Sequence, residues 1–210
     1  MTDEANFHLC GNVSSQNCRY WTTENPCIIH QKPLHSEEVI VWCGVASFGV
    51  IGPSFFEEEA GRAITVNSAR YTEMLRTFLE LELQRFGVES QTPWFQQDRA
   101  MAHTARAAMQ LLNKMFPACM ISWRGNIEWP AKSPDLNACD FFLWGYFKSK
   151  VYEKKPRAMV DFKQNIRDEV AAVSPTMLQQ VMPSFKKCLR KCVDNKGRYL
   201  TDTIFRKWIL

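Results

Sequence analysis

Asp98 ends a short aromatic run, Trp94-Phe-Gln-Gln-Asp98, and an alanine-rich segment of helical composition begins a few residues later. That order reads as a strand carrying a carboxylate to its C-terminal tip, where α/β sheets open onto their ligand crevice. Two further aspartates stand at the edges of regular elements. Asp3 begins an alternating stretch, and Asp140 lies where a long loop meets an aromatic-rich helix. Three carboxylates on one sheet edge would offer the hard oxygen donors that Mg²⁺ requires. A pair of such ions activates an attacking oxygen and stabilises a leaving one, so displacement at a phosphodiester is the chemistry these residues could perform. Each aspartate alone serves equally as a turn residue capping the next helix. Periodicity by itself does not bring residues 3, 98 and 140 together.

The elements that must position them follow from pattern. Residues 4–10 alternate as a strand, residues 18–21 read as a second, and 22–36, with Pro26, Pro33, His30 and His35, lack any period and read as an ordered loop. The run 39–46 is β-branched and apolar on both faces, and a short Gly-containing loop joins it to 50–56, which predicts a hairpin deep in a sheet. Tyr71, Leu75, Phe78, Leu79 and Phe86 mark a helix stopped by Gly87, with Glu82 the one misfit on its apolar face. A strand over 92–97, a helix over 102–116 and a strand over 119–122 come next. Residues 123–138 carry two prolines and several turn formers and read as a long functional loop. The aromatic helix from Cys139 follows, then helices over 159–173 and 176–195 separated by Ser174-Pro175.

Composition places the chain among globular proteins, with 46% apolar and 23% charged residues. No stretch reaches the length of a membrane span and the N-terminus lacks a secretory pattern, so an intracellular protein with no membrane partner is expected. Eight cysteines contain no Cys-x-x-Cys pair, which favours buried free thiols. Cys188 and Cys192, one helical turn apart, could share a metal, and a zinc module with His30 or His35 could be drawn, but no spacing supports either. Residues 148–210 hold 15 Lys or Arg against 6 Asp or Glu, and residues 1–147 hold 11 against 16. The basic third reads as a surface for a polyanion or as a solvated helix face, and the acidic part as the place for metal chemistry.

Four blocks, Thr2-Asp3-Glu-Ala-Asn-Phe-His-Leu9, Val41-Trp-Cys-Gly44, Trp94 through Ala105, and Trp129-Pro-Ala-Lys-Ser-Pro-Asp-Leu-Asn-Ala-Cys-Asp-Phe-Phe-Leu-Trp-Gly145, stand in this order. They resemble the successive signature blocks of the catalytic domain of Tc1/mariner-family transposases. The resemblance covers residues 2–150. It implies an α/β, ribonuclease-H-like mixed sheet flanked by helices (1–150), followed by a C-terminal helical extension (151–210) packing on the same domain. It also implies cut-and-paste DNA strand cleavage and strand transfer by a metal-bound triad, Asp3, Asp98 and Asp140, with two Mg²⁺ or Mn²⁺ ions. The partner is then double-stranded DNA, as transposon ends and target, in the nucleus. Pairing with a second copy stays open, as do the DNA-binding residues. The third acid falls on Asp140, four residues after the leucine of Ser-Pro-Asp-Leu, which leaves Asp135 as a loop residue ordering the approach. His103 and Thr104 match a His-Thr pair with a supporting role at the helix start.

Three departures from the family pattern matter. The chain begins just before Asp3, without the family's N-terminal helix-turn-helix region and the first half of the first strand, so fraying at Asp3 is expected. Arg99 stands where the family has a small or uncharged residue and is expected to compete with metal for Asp98. Ala138 and Cys139 replace the usual Pro-x, and 41 residues separate Asp98 from Asp140, a longer insert than in the best-known branches. An inactive transposon remnant that folds and binds nucleic acid is the competing expectation.

Overall fold

The computed structural model describes residues 1–11, 37–88, 93–130 and 134–196. The strand expected at 18–21, and the loop with His30 and His35, lie outside these residues. Strand β2 (Glu38–Ala46) is flanked antiparallel by β1 (Thr2–His8) and β3 (Gly49–Phe55). Its alternation explains why it reads as apolar throughout: Val39, Val41, Cys43 and Val45 enter one core and Trp42 the other. Strands β4 (Phe95–Gln96), β5 (Met120–Ser122) and β6 (Ile127–Glu128) pair in parallel. Where one mixed sheet is expected, the strands form two three-stranded sheets, one antiparallel and one parallel. At the seam the Thr2 hydroxyl donates to the Gln96 carbonyl at 2.9 Å. Strand β1 is also held at its start, where Met1 donates to and accepts from Val45 at 3.1 and 2.8 Å.

Strand β6 corrects the reading of 123–138 as unbroken loop. Two residues are too few to show a period. What forms the strand is tertiary: the Asn126 side chain accepts from the Met120 amide at 3.0 Å. Gly125 approaches so closely that a Cβ there would stand 2.8 Å from the Met120 carbonyl oxygen.

The first long helix is α1 (Ser68–Met74), a π-helical turn (Leu75–Leu79) and α2 (Glu80–Arg85) in one run, capped by Asn67, which accepts from the Arg70 amide at 2.9 Å. The extra residue of the π turn rotates the apolar face, so Tyr71, Met74, Leu75 and Leu79 are buried while Glu82 turns to Arg85 at 3.3 Å. The helix expected over 102–116 is two: α3 (Met101–Thr104) and α4 (Arg106–Met115), broken where Ala105 takes ψ 143°. A 3₁₀ turn (Pro134–Leu136) and a π-helical turn (Cys139–Leu143) lead into α5 (Trp144–Glu153). Helices α6 (Met159–Ala172) and α7 (Pro175–Asp194) complete the described chain.

Phe162, Ile166, Leu178 and Val181 of α6 and α7 share one core with Phe7, Val39, Val41, Leu143 and Phe147. The second core lies across the sheet, where Trp42 meets Tyr71, Leu75, Leu112 and Met120. Cys188 packs against Trp129 and Leu136 with Cys192 beside it, so these thiols fill a small core. No helix among the described residues is long and apolar enough to cross a membrane.

Candidate active site

Asp3 and Glu4 are neighbours on β1 and therefore point to opposite faces of the sheet. On one face the Trp144 indole N–H donates to Asp3 Oδ2 at 3.0 Å, tying the first residue of α5 to the first acid. Asp140 reaches the same neighbourhood through a turn built by Asn137. The Asn137 side chain accepts from the Cys139 amide at 3.2 Å, and its carbonyl accepts from the Asp140 amide at 3.0 Å. The charge of Asp140 reaches Asp3 there.

Asp98 follows β4 by two residues. Its Oδ1 accepts from the Ala100 amide at 2.9 Å, an Asx turn, and from His103 Nδ1 at 2.5 Å. His103 Nε2 donates to Glu4, 3.0 Å from Oε1 and 2.9 Å from Oε2. The imidazole is fully buried and lies on Tyr71, ring centroids 4.4 Å apart. Tyr71 donates to Gln97 Oε1 at 2.7 Å, and Gln97 donates to the His103 carbonyl at 3.0 Å and to Ser122 Oγ at 3.1 Å. The helix break at Ala105 gives His103 a short turn of its own, which this network fixes.

The electrostatics divide the three acids. Burial first, then the Asp140 charge, pushes the Asp3 carboxyl well above the usual range, and the Trp144 hydrogen bond only partly opposes this. Asp140 is also raised, by the protein packed around it and by the charges of Asp98 and Asp135, against hydrogen bonds from Asp3 and Asn137. Partial burial pushes Asp98 upward too, but the His103 hydrogen bond and charge and the Ala100 amide outweigh it, so its carboxyl is lowered. Burial would lower His103. The charge of Glu4 and the bond to Asp98 overcome that and raise it to about 10, so at neutral pH it is an imidazolium donating on both sides.

The structure thus brings Asp3 and Asp140 together, with Asp98 close enough for its charge to reach both. Asp135 sits in the 3₁₀ turn, where its charge reaches Asp140 and Cys188. It does not replace Asp140 beside Asp3. Arg99 contradicts the expectation that it competes for Asp98. Its Nε donates to the Trp129 carbonyl at 2.8 Å and its Nη2 to Glu128 at 2.9 Å, acceptors in and just after β6. Among the described residues, no three His, Cys, Asp or Glu side chains are gathered tightly enough to enclose a metal ion as they stand. The donor set nonetheless suits a hard divalent cation: carboxylate oxygens from three elements, two of them crowded together, with Lys148 the cation whose charge reaches Asp140. Sequence reasoning missed Glu4, Gln97, Tyr71 and Trp144. Strand alternation placing Glu4 opposite Asp3, with His103 one helical turn beyond Asp98, was the available signal.

No family model matches the chain. Transposable element Tc3 transposase of Caenorhabditis elegans is 24% identical over 203 residues, covering 93% of this chain and 55% of that protein, so the chain spans about half the length of this relative. The crystal structure of the Mos1 mariner transposase catalytic domain superposes with a TM-score of 0.64 at 22% identity, covering 78% of this chain and 76% of that one. The same domain with raltegravir and Mn gives 0.66 at 24% identity, covering 78% of each chain. The Mos1 paired-end complex with Mg gives 0.70 at 23% identity, covering 95% of this chain and 55% of that one. The chain carries the fold of the Mos1 mariner transposase catalytic domain.

Proposed function

We propose that this chain is the catalytic domain of a cut-and-paste DNA transposase that cleaves DNA strands and transfers the freed ends to a target, acting in the nucleus. The observation that carries the reading is that Asp3 on β1, Asp140 on the π-helical turn before α5 and Asp98 after β4 stand near enough for their charges to act on one another, in the fold shared with Mos1. The residues that would hold divalent cations are Asp3, Asp98 and Asp140. Bound there, two Mg²⁺ or Mn²⁺ ions supply Lewis acidity for in-line displacement at phosphorus, by water in cleavage and by a DNA 3′-hydroxyl in strand transfer.

The chain's own residues set the stage for that chemistry. Trp144 fixes the rotamer of Asp3 through its indole N–H, leaving the other carboxylate oxygen for binding. Asn137 sets the turn that presents Asp140. His103 holds Asp98 ionised and orients it, and Glu4 keeps His103 charged. Misplacement of such groups by about 1 Å costs on the order of 10²-fold in rate, which explains so much supporting hydrogen bonding around one carboxylate.

Nicking of supercoiled plasmid in Mn²⁺ tests the reading, with Asp98→Ala as the blank. Cleavage by the unmodified chain and none by the variant is expected. Binding of DNA without any cleavage, under conditions where the chain is folded, would favour the inactive remnant. The Mos1 paired-end complexes motivate a dimer on DNA for this chain as well, which sedimentation with end-sequence duplexes would test.

A further inference from the structure

Unpaired positive charge concentrates where α5 hands over to α6. Lys154, Lys155, Arg157, Gln164 and Asn165 line an open groove of about 390 Å³ with a single carboxylate, Asp161. Lys154 is pinned by Glu169 at 2.9 Å. Lys155 follows in the left-handed region, φ 48°, and Arg157 lies just past Pro156. Both are exposed, and neither forms an ion pair among the described residues. On an ordinary solvated face, cations stand beside carboxylates one turn away, as Lys150 does with Glu153 at 3.2 Å. This groove departs from that pattern: two cations remain free, neutral amide donors sit beside them, and the first turn of α6 has no side-chain cap.

Its position relative to the acids is set by α5. That helix runs along β1, with Trp144 on Asp3, the Lys148 ammonium 5.5 Å from the Phe7 ring centre, and Tyr152 accepting from the His8 amide at 3.1 Å. Lys148 lies midway along α5, and Lys155 stands two residues past its last residue, Glu153. The ten residues of α5 rise ~15 Å, which corresponds to about four base pairs of B-DNA at ~3.4 Å per base pair.

We propose that the Lys155–Arg157 groove grips the phosphate backbone of duplex DNA a few base pairs from the bond being cut, without reading sequence. The inference rests on the transposase reading for its substrate. A backbone grip here fixes the duplex along α5, so that a scissile phosphate is presented to the acids instead of sliding past them.

The test is binding of the full chain to a labelled duplex, without divalent metal, over a series of salt concentrations. Lys155→Ala/Arg157→Ala is expected to weaken binding about tenfold at low salt and to make the log–log salt slope shallower by about 1.8, at ~0.9 for each phosphate no longer neutralised. Lys114→Ala, an exposed cation on α4, should change neither. If the double variant melts early, Lys155→Gln alone should still remove about 0.9 from the slope. An unchanged slope, an equal loss with Lys114→Ala, or a difference abolished by inorganic phosphate at matched ionic strength would overturn the proposal. Plasmid nicking separates the two readings. A shallower slope in a chain that never nicks keeps the groove and sinks the catalytic reading, whereas nicking with an unchanged slope does the reverse.

Discussion

His103 Nδ1 stands 2.5 Å from Asp98 Oδ1, and the same ring reaches Glu4 with its other nitrogen. One buried cation therefore joins the start of β1 to the turn after β4, across the seam between the two sheets. Residues far apart in sequence are locked together by a group that contacts only one of the proposed metal ligands.

Removing that cation strands two carboxylates. His103→Ala is expected to cost ~2–4 kcal/mol of stability, below the upper end for a broken buried pair because Asp98 is partly exposed. Urea unfolding should show a lower midpoint with an unchanged slope. A midpoint shift corresponding to under about 0.5 kcal/mol would show that the bridge contributes little to the fold.

Asp3 and Asp140 repel each other. Asp3→Asn, which keeps an acceptor for Trp144, is expected to abolish nicking and to raise the melting temperature by about 2–4 °C at neutral pH without divalent ions. Millimolar Mn²⁺ should raise the melting temperature of the unmodified chain, since a ligand of the native state stabilises it, and leave the variant unmoved. Equal Mn²⁺ shifts in both proteins would argue against Asp3 as a ligand.

Arg99 holds the loop and leaves the acid alone. Arg99→Gly removes hydrogen bonds to Trp129 and Glu128, so a loss of about 1 kcal/mol is expected, with no gain in cleavage. Faster nicking by this variant would restore the view that its charge competes with metal.

Phe162 joins α6 to β1 at the centre of one core, edge-on to Phe7 at 6.5 Å and stacked with Tyr152 at 5.9 Å. Phe162→Ala should cost ~3–5 kcal/mol. Unfolding monitored by far-UV circular dichroism and by tryptophan fluorescence should shift together, as one cooperative unit does. Separate transitions would mean that the C-terminal helices fold apart from the sheet.

Much of this is legible in residue order and spacing. The β2–β3 hairpin, α6, α7 and the approximate bounds of β1 and β5 follow from periodicity and turn residues, because each is long enough to show its period or is bounded by Gly, Pro or Asn. The three acids are named by block order. The π turn at Leu75–Leu79, the break at Ala105 and strand β6 are not legible, since each is a local deviation sustained by contacts from elsewhere.

The sequence by itself determined the order of elements and the apolar faces, because these rest on residue type and short spacing, while Asp3, Asp98 and Asp140 are singled out by the resemblance of their blocks to the transposase family. Only the tertiary structure decided how those acids stand: Asp3 beside Asp140 against Trp144, Asp98 turned onto His103, and Arg99 drawn away to β6. Those outcomes depend on which face of a strand meets which helix. They also depend on which buried charge finds a partner in a low-dielectric interior, where Coulomb and desolvation energies far exceed local propensity.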